Sequence, residues 1–179
     1  QFRSWIAQRG ANQDQHWRLT MAVTIGFQLS YGQLSVFASA LKDPYNDWTD
    51  QHISQGFTWR PGSVSFSSMV GSGRHSVDIH VVNHAAPVHP NAVRAVEVPF
   101  EVPADGAIEV GSISETVPLE LPAGSFLLRC EFFQPSGTHE DERVRLTFAK
   151  KDAPRFAVVR ADPELSIGDE LLKTARPAI

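Results

Sequence analysis

Cysteine is almost absent from this chain: Cys130 stands alone among 179 residues, so no internal disulfide can staple the fold. It alternates with Phe126, Leu128 and Phe132 and reads as a small hydrophobe facing a core. A catalytic thiol needs a polar, electropositive setting, which this run does not offer. Long apolar runs are missing too. None approaches the roughly 20 residues that cross a bilayer, so membrane insertion is not expected. Around Arg3 and Trp5 there is no apolar core of a secretion signal, and the expected location is cytoplasmic. The nucleophile elbow G-x-S-x-G, the metalloprotease H-E-x-x-H and the phosphate-cradling P-loop are all lacking. Serine, histidine and aspartate are plentiful, so their presence alone says nothing of hydrolysis. No catalytic residue and no cofactor is expected.

Basic charge is scarce where acid is dense. Residues 97–142 hold ten Asp and Glu against Arg129 alone, while residues 22–96 balance at four against four. Such a middle cannot replace the counterions around phosphates, which argues against direct nucleic-acid binding. It suits a partner that is itself basic. The plain alternative is that strand faces carry glutamate for solubility.

Period-two alternation dominates what is present. Phe27, Leu29 and Tyr31; Val77, Ile79 and Val81; Val96, Val98, Phe100 and Val102; Val117, Leu119 and Leu121; and Val144, Leu146 and Phe148 each alternate with mostly polar residues. One apolar and one polar face per segment is the pattern of half-buried antiparallel strands. Asp105-Gly106 between two such runs predicts a hairpin, and Pro122-Ala123-Gly124 and Pro135-Ser136-Gly137 predict further turns. Pro99 and Pro118 predict edge positions or bulges. Roughly eight to ten short strands with frequent turns predict an all-β antiparallel sandwich. The length suits one core, assigned to residues 23–160, with residues 1–22 as an N-terminal tail and 161–179 as a C-terminal tail. Within that last tail, Glu164 to Lys173 has the apolar spacing of a short helix, against which Gly168 counts.

One helical signal interrupts the strands, at residues 47–56. Asp47 reads as its cap, Asp50 suits the positive end of the helix dipole, and Gly56 suits the left-handed stop. At about 100° per residue, Thr49 and Ile53 share a face and Trp48, Gln51, His52 and Gln55 share another. Ile53 is the expected core anchor, leaving Trp48 outside among Asp43, Asp47 and Asp50. A second acidic group, Glu140-Asp141-Glu142, follows the turn at Pro135. These seven residues are the candidate partner-binding set. The bland readings are a simple helix cap for Asp47 and a solvated loop for 140–142. Glu97, Glu101, Glu109 and Glu120 add acid on strand faces. His80 and His84 on one strand lie about 13 Å apart, too far to chelate one ion, and no metal site is expected with His89. Gly71-Ser72-Gly73-Arg74-His75 reads as a strand connection.

In order along the chain stand Phe27-Gln28-Leu29-Ser30-Tyr31-Gly32-Gln33-Leu34-Ser35-Val36-Phe37, Asp47-Trp48-Thr49-Asp50, Gly62-Ser63-Val64-Ser65-Phe66, Val96 to Val102, Ala107 to Ile113 and Leu119 to Cys130. This series resembles the competence protein J family, inhibitors of the nuclease of bacterial DNA uptake, over roughly residues 25 to 135. The DWTD helix followed by a G-x-[VI]-S-F strand is the most specific part. The resemblance implies a non-enzymatic protein that binds a nonspecific DNA endonuclease, or as an immunity protein a nuclease toxin, and blocks its cleft. In that reading Trp48 packs while Asp47, Asp50 and the 140–142 loop supply charge. The reading from a different class is a small-ligand module, for instance a carbohydrate-binding sandwich stacking sugars on Trp48, Trp59 and Tyr45.

Overall fold

The computed structural model describes residues 19–135, 137 and 140–179. Eleven strands and one short helix follow in order: β1 (Leu19–Leu29), β2 (Gln33–Ala38), α1 (Asp50–Gln55), β3 (Phe57–Arg60), β4 (Ser63–Ser67), β5 (Gly73–Val82), β6 (Ala92–Val102), β7 (Ala107–Gly111), β8 (Thr116–Glu120), β9 (Gly124–Phe133), β10 (Glu142–Lys150) and β11 (Ala157–Arg160). They form a six-stranded sheet, β1-β5-β10-β9-β6-β11, and a five-stranded sheet, β3-β4-β2-β7-β8. The expected all-β sandwich with one short helix is what the chain builds.

Register explains why the sheets stack. Across the larger sheet, Val23, Ile79, Leu146, Cys130, Val96 and Val158 stand opposite one another strand by strand. Across the smaller, the matching row is Trp59, Val64, Val36, Val110 and Val117. Both rows face the interior, and most of their members belong to the single large buried cluster. Cys130 lies wholly inside it, where burial drives its thiol pKa well up and leaves it inert. Phe148 stands edge-on to Phe100 and Phe126, each at a ring separation of 6.0 Å.

The strand pattern is legible, but the connections differ from expectation. Gly106 takes a φ of 71°, and its N–H donates to the Pro103 carbonyl at 2.8 Å. The Asp105-Gly106 turn therefore forms, yet it carries the chain from β6 in one sheet to β7 in the other, so it is no hairpin. Strand propensity cannot distinguish a turn within a sheet from a step between sheets. One pairing, β5 with β10, is parallel. Pro118 lies on the edge strand β8, as expected, and Pro99 lies on β6 just beyond the last pairing with β11. Tyr31 leaves the strand pattern altogether and sits in the β1–β2 turn with a φ of 53°.

Each sheet is also crossed on its outside. The segment between β2 and α1 lies over Thr58, Ser63, Ser65 and Ser35, which are fully buried although their alternation reads as solvent-facing. Ser35 and Ser65 satisfy each other at 2.7 Å. The β5–β6 connection crosses the larger sheet. There Glu131 accepts the His89 N–H, and Arg129 donates to the Ala86 carbonyl while pairing with Glu97 at 2.8 Å.

Because Phe148 is fully enclosed between two other rings, Phe148→Ala is expected to cost about 3–5 kcal/mol. Denaturant unfolding checks this; a loss under 1 kcal/mol would mean that the inner rows do not hold the sheets together.

Candidate functional site at one end of the sandwich

Strand directions decide which loops meet. The C-termini of β1, β4, β7 and β9 and the N-termini of β2, β3, β5, β6, β8 and β10 all point to one end. The two sheets are tied there by Ser30 N–H to Ser112 Oγ at 2.9 Å, Gln28 N–H to Glu115 Oε2 at 2.7 Å and Arg94 to the Ser67 carbonyl at 2.8 Å. This end gathers α1, the β1–β2 turn, the β7–β8 turn and residues 140–142.

Helix α1 starts later than expected. Thr49 is its cap, accepting from the His52 N–H at 3.4 Å, while His52 Nδ1 accepts the Thr49 N–H at 3.0 Å to complete a capping box. That bond fixes the His52 tautomer, leaving Nε2–H to donate to the Thr174 carbonyl at 2.8 Å. Asp47 does not cap: its N–H donates to the Arg176 carbonyl and its own carbonyl accepts from Thr58 Oγ1. The predicted facing of the helix is inverted as well. Ile53 is 57% exposed, whereas His52 and Gln55 are buried.

The cause is the C-terminal segment. Glu164 to Lys173 forms no helix; it belongs to a strap that runs along α1 and the residues before it. Ser166 N–H bonds the Ser54 carbonyl, Gln51 donates to the Glu170 carbonyl, Gln55 both donates to and accepts from Leu172, and Pro177 forms a bridge to Asn46. A helical strap would keep those carbonyls for itself; an extended one offers them to His52 and Gln55, and so draws polar side chains inward. Gly56 at φ 87° ends the helix where an added Cβ would meet Leu165 Cδ2 at 3.1 Å. The strap is anchored by Arg94, fully buried, whose Nε donates to Asp162 at 2.6 Å. Burial alone would raise the Asp162 pKa, but its bonds and charge contact with Arg94 outweigh that and hold it low.

Six of the seven candidate residues share the end; Asp43 does not. Asp43, in the left-handed conformation at φ 50°, accepts from the Arg60 guanidinium through its carbonyl, toward the opposite end. Asp47 and Asp50 are exposed beside Trp48. Trp48 is only partly outside, its indole N–H donating to Gln33 Oε1 at 3.2 Å. Asp141 and Glu142 stand at the start of β10, on the other sheet, with Asp141 4.0 Å from Arg74. Tyr45 and Trp59 do not join Trp48 in a stacking surface. Tyr45 packs edge-on to Phe37 and donates to the Ser112 carbonyl, while Trp59 faces inward against Phe156 and donates to Pro99. Tyr31, 80% exposed at the same end, was not singled out by the sequence; its place in an apolar alternation hid it.

A stiff two-sheet sandwich with carboxylates and part-exposed aromatics gathered at one end defines an all-β protein with an anionic terminal surface. The chain belongs to the competence protein J (ComJ) family, whose model matches residues 26–149. The strap therefore lies outside the matched region. No curated protein matches the chain in sequence. Among solved structures, it is similar to the crystal structure of ComJ, inhibitor of the DNA degrading activity of NucA, from Bacillus subtilis. That likeness has a TM-score of 0.60 at 21% identity, covering 76% of this chain and 100% of that one. A second, the crocagin biosynthetic gene J product, has a TM-score of 0.47 at 16% identity, covering 74% and 98%.

Beneath the 140–142 loop, His75 is fully buried, stacked on Phe27 and held by the Gly73 carbonyl and Ser68. Burial pushes its pKa below the ordinary histidine value, opposed by the Gly73 bond and by nearby Glu142 and Asp141. Burial, reinforced by Arg145, does the same to His80. With the folded pKa lowered, the unfolded state binds more protons between the two values, so stability falls as pH drops through the ordinary histidine range. The expected outcome is a thermal midpoint that declines between pH 7 and pH 5, with a shallower slope in His75→Gln; an unchanged slope would remove His75 as a source.

Proposed function

We propose that this chain is a protein inhibitor, or immunity protein, of a nonspecific DNA endonuclease, and that it blocks the enzyme's active cleft without being an enzyme itself. The observation that carries the reading is the convergence of Asp47, Trp48, Asp50 and residues 140–142 on one end of the sandwich. A nuclease cleft presents cations to the DNA backbone, and carboxylates on a rigid body can enter it in place of phosphates. Complementary fields speed the encounter. A preorganised sandwich also loses little entropy on docking. Membership of the ComJ family supports the reading, as does the description of the Bacillus subtilis relative as an inhibitor of NucA's DNA-degrading activity. In this reading the protein acts in the cytoplasm and needs no cofactor.

Two measurements test it. At an equimolar ratio the purified protein is expected to suppress DNA cleavage by the host's nonspecific endonuclease; full cleavage activity would end the proposal. Changing Glu140, Asp141 and Glu142 together to Ser is expected to slow association several-fold at low salt and little at high salt. Equal association rates at both ionic strengths would assign that loop to solvent.

A further inference from the structure

The β1–β2 turn places an aromatic ring where the fold has no use for it. Tyr31 and Gly32 are its two central residues, both left-handed at φ 53° and 63°. Such turns favour Asn-Gly, because most other side chains are strained at the first position. Here a tyrosine takes that position with its side chain projecting into solvent, 80% exposed. Strained positions that the surrounding structure over-determines are concentrated where proteins act.

The backbone under that ring is braced from three sides. Gly32 N–H donates to the Gly71 carbonyl at 2.7 Å and the Gly32 carbonyl accepts from Ser68 N–H at 2.8 Å. Ser112 Oγ lies 2.9 Å from the Ser30 and Gln33 carbonyls and accepts the Ser30 N–H. The Gln33 side chain receives the Trp48 indole. The turn carrying Ser112 also carries Ile113, 43% exposed. Around this apolar tip the same end carries Asp47, Asp50, Glu115, Glu140, Asp141, Glu142 and Glu164 against Arg74, Arg143, Arg160 and, beside Asp47 on the strap, Arg176, an excess of acid. Arg94 adds no free charge, being buried with Asp162.

We infer that the Tyr31–Gly32 turn is the wedge that enters the partner's cleft, its ring occupying the place of a nucleobase while the carboxylates around it occupy the places of phosphates. The inference rests on the inhibitor reading above and names the contact within it. The occupant of this surface is the cationic cleft of a DNA endonuclease, since the excess of acid around the tip complements a basic partner and disfavours an acidic one. An aromatic anchor whose backbone is already fixed loses little freedom on docking, which is the condition for an energetic hot spot.

The test uses the full chain and the host endonuclease of the inhibition assay, with dissociation constants and off-rates measured for three proteins. Tyr31→Asn removes the ring but accepts the left-handed backbone, so its thermal midpoint is expected to match or exceed that of the original. Its dissociation constant is expected to rise about 30-fold or more, chiefly through faster release. Tyr31→Phe keeps the ring and is expected to bind within a few-fold of the original. If Tyr31→Asn fails to fold, Tyr31→Gly provides the same comparison. Tight inhibition by the original together with unchanged binding by Tyr31→Asn overturns the wedge and leaves the inhibitor reading standing. No inhibition by the original protein overturns both.

Discussion

Two inward-facing rows of mostly branched side chains set how the two sheets lie against each other, and the anionic end inherits its geometry from that alignment. Val23, Ile79, Leu146, Cys130 and Val96 line one sheet, and Val64, Val36, Val110 and Val117 line the other. A slip of one residue in any strand would turn its apolar set outward. Burying these rows therefore fixes strand register, and register fixes which loops share an end. The Ser30–Ser112, Gln28–Glu115 and Gly32–Gly71 bonds then lock together the loops that meet there.

The acidic middle of the chain is distributed more widely than its sequence suggests. Glu97 pairs with Arg129, and Glu131 accepts a backbone N–H beneath the β5–β6 connection, so both serve the fold. Asp105 and Glu120 stand at the opposite end, with Glu101 near them on β6. The acid at the tied end comes from several segments, including Asp47 and Asp50, which lie outside the acidic stretch. Net charge by segment is a statement about composition; the field at a surface depends on the topology that brings segments together.

Strand identity was readable because alternation follows directly from burial of one face. The short helix was readable in place, through Gly56, but misread in facing. A helical wheel assigns Ile53 to a core on hydrophobicity alone, whereas His52 and Gln55 are drawn inward by carbonyls on a strap more than a hundred residues away. The same blindness applies to Ser35, Ser63 and Ser65, which look like an outer face and are sealed by the segment before α1. Asp43 was grouped with Asp47 and Asp50 because it is near them in the chain. Its backbone instead binds Arg60 toward the opposite end.

Local chemistry in the sequence determined the all-β class, most strand positions, the buried thiol and the family motif around residues 47–66, because each depends on neighbours within a few residues. Tertiary structure alone decided that the Asp105-Gly106 turn changes sheets, that the final segment straps the helix, and that Tyr31 stands braced and bare at the anionic end. Those outcomes depend on hydrogen bonds and packing between residues far apart in sequence, which no local pattern encodes.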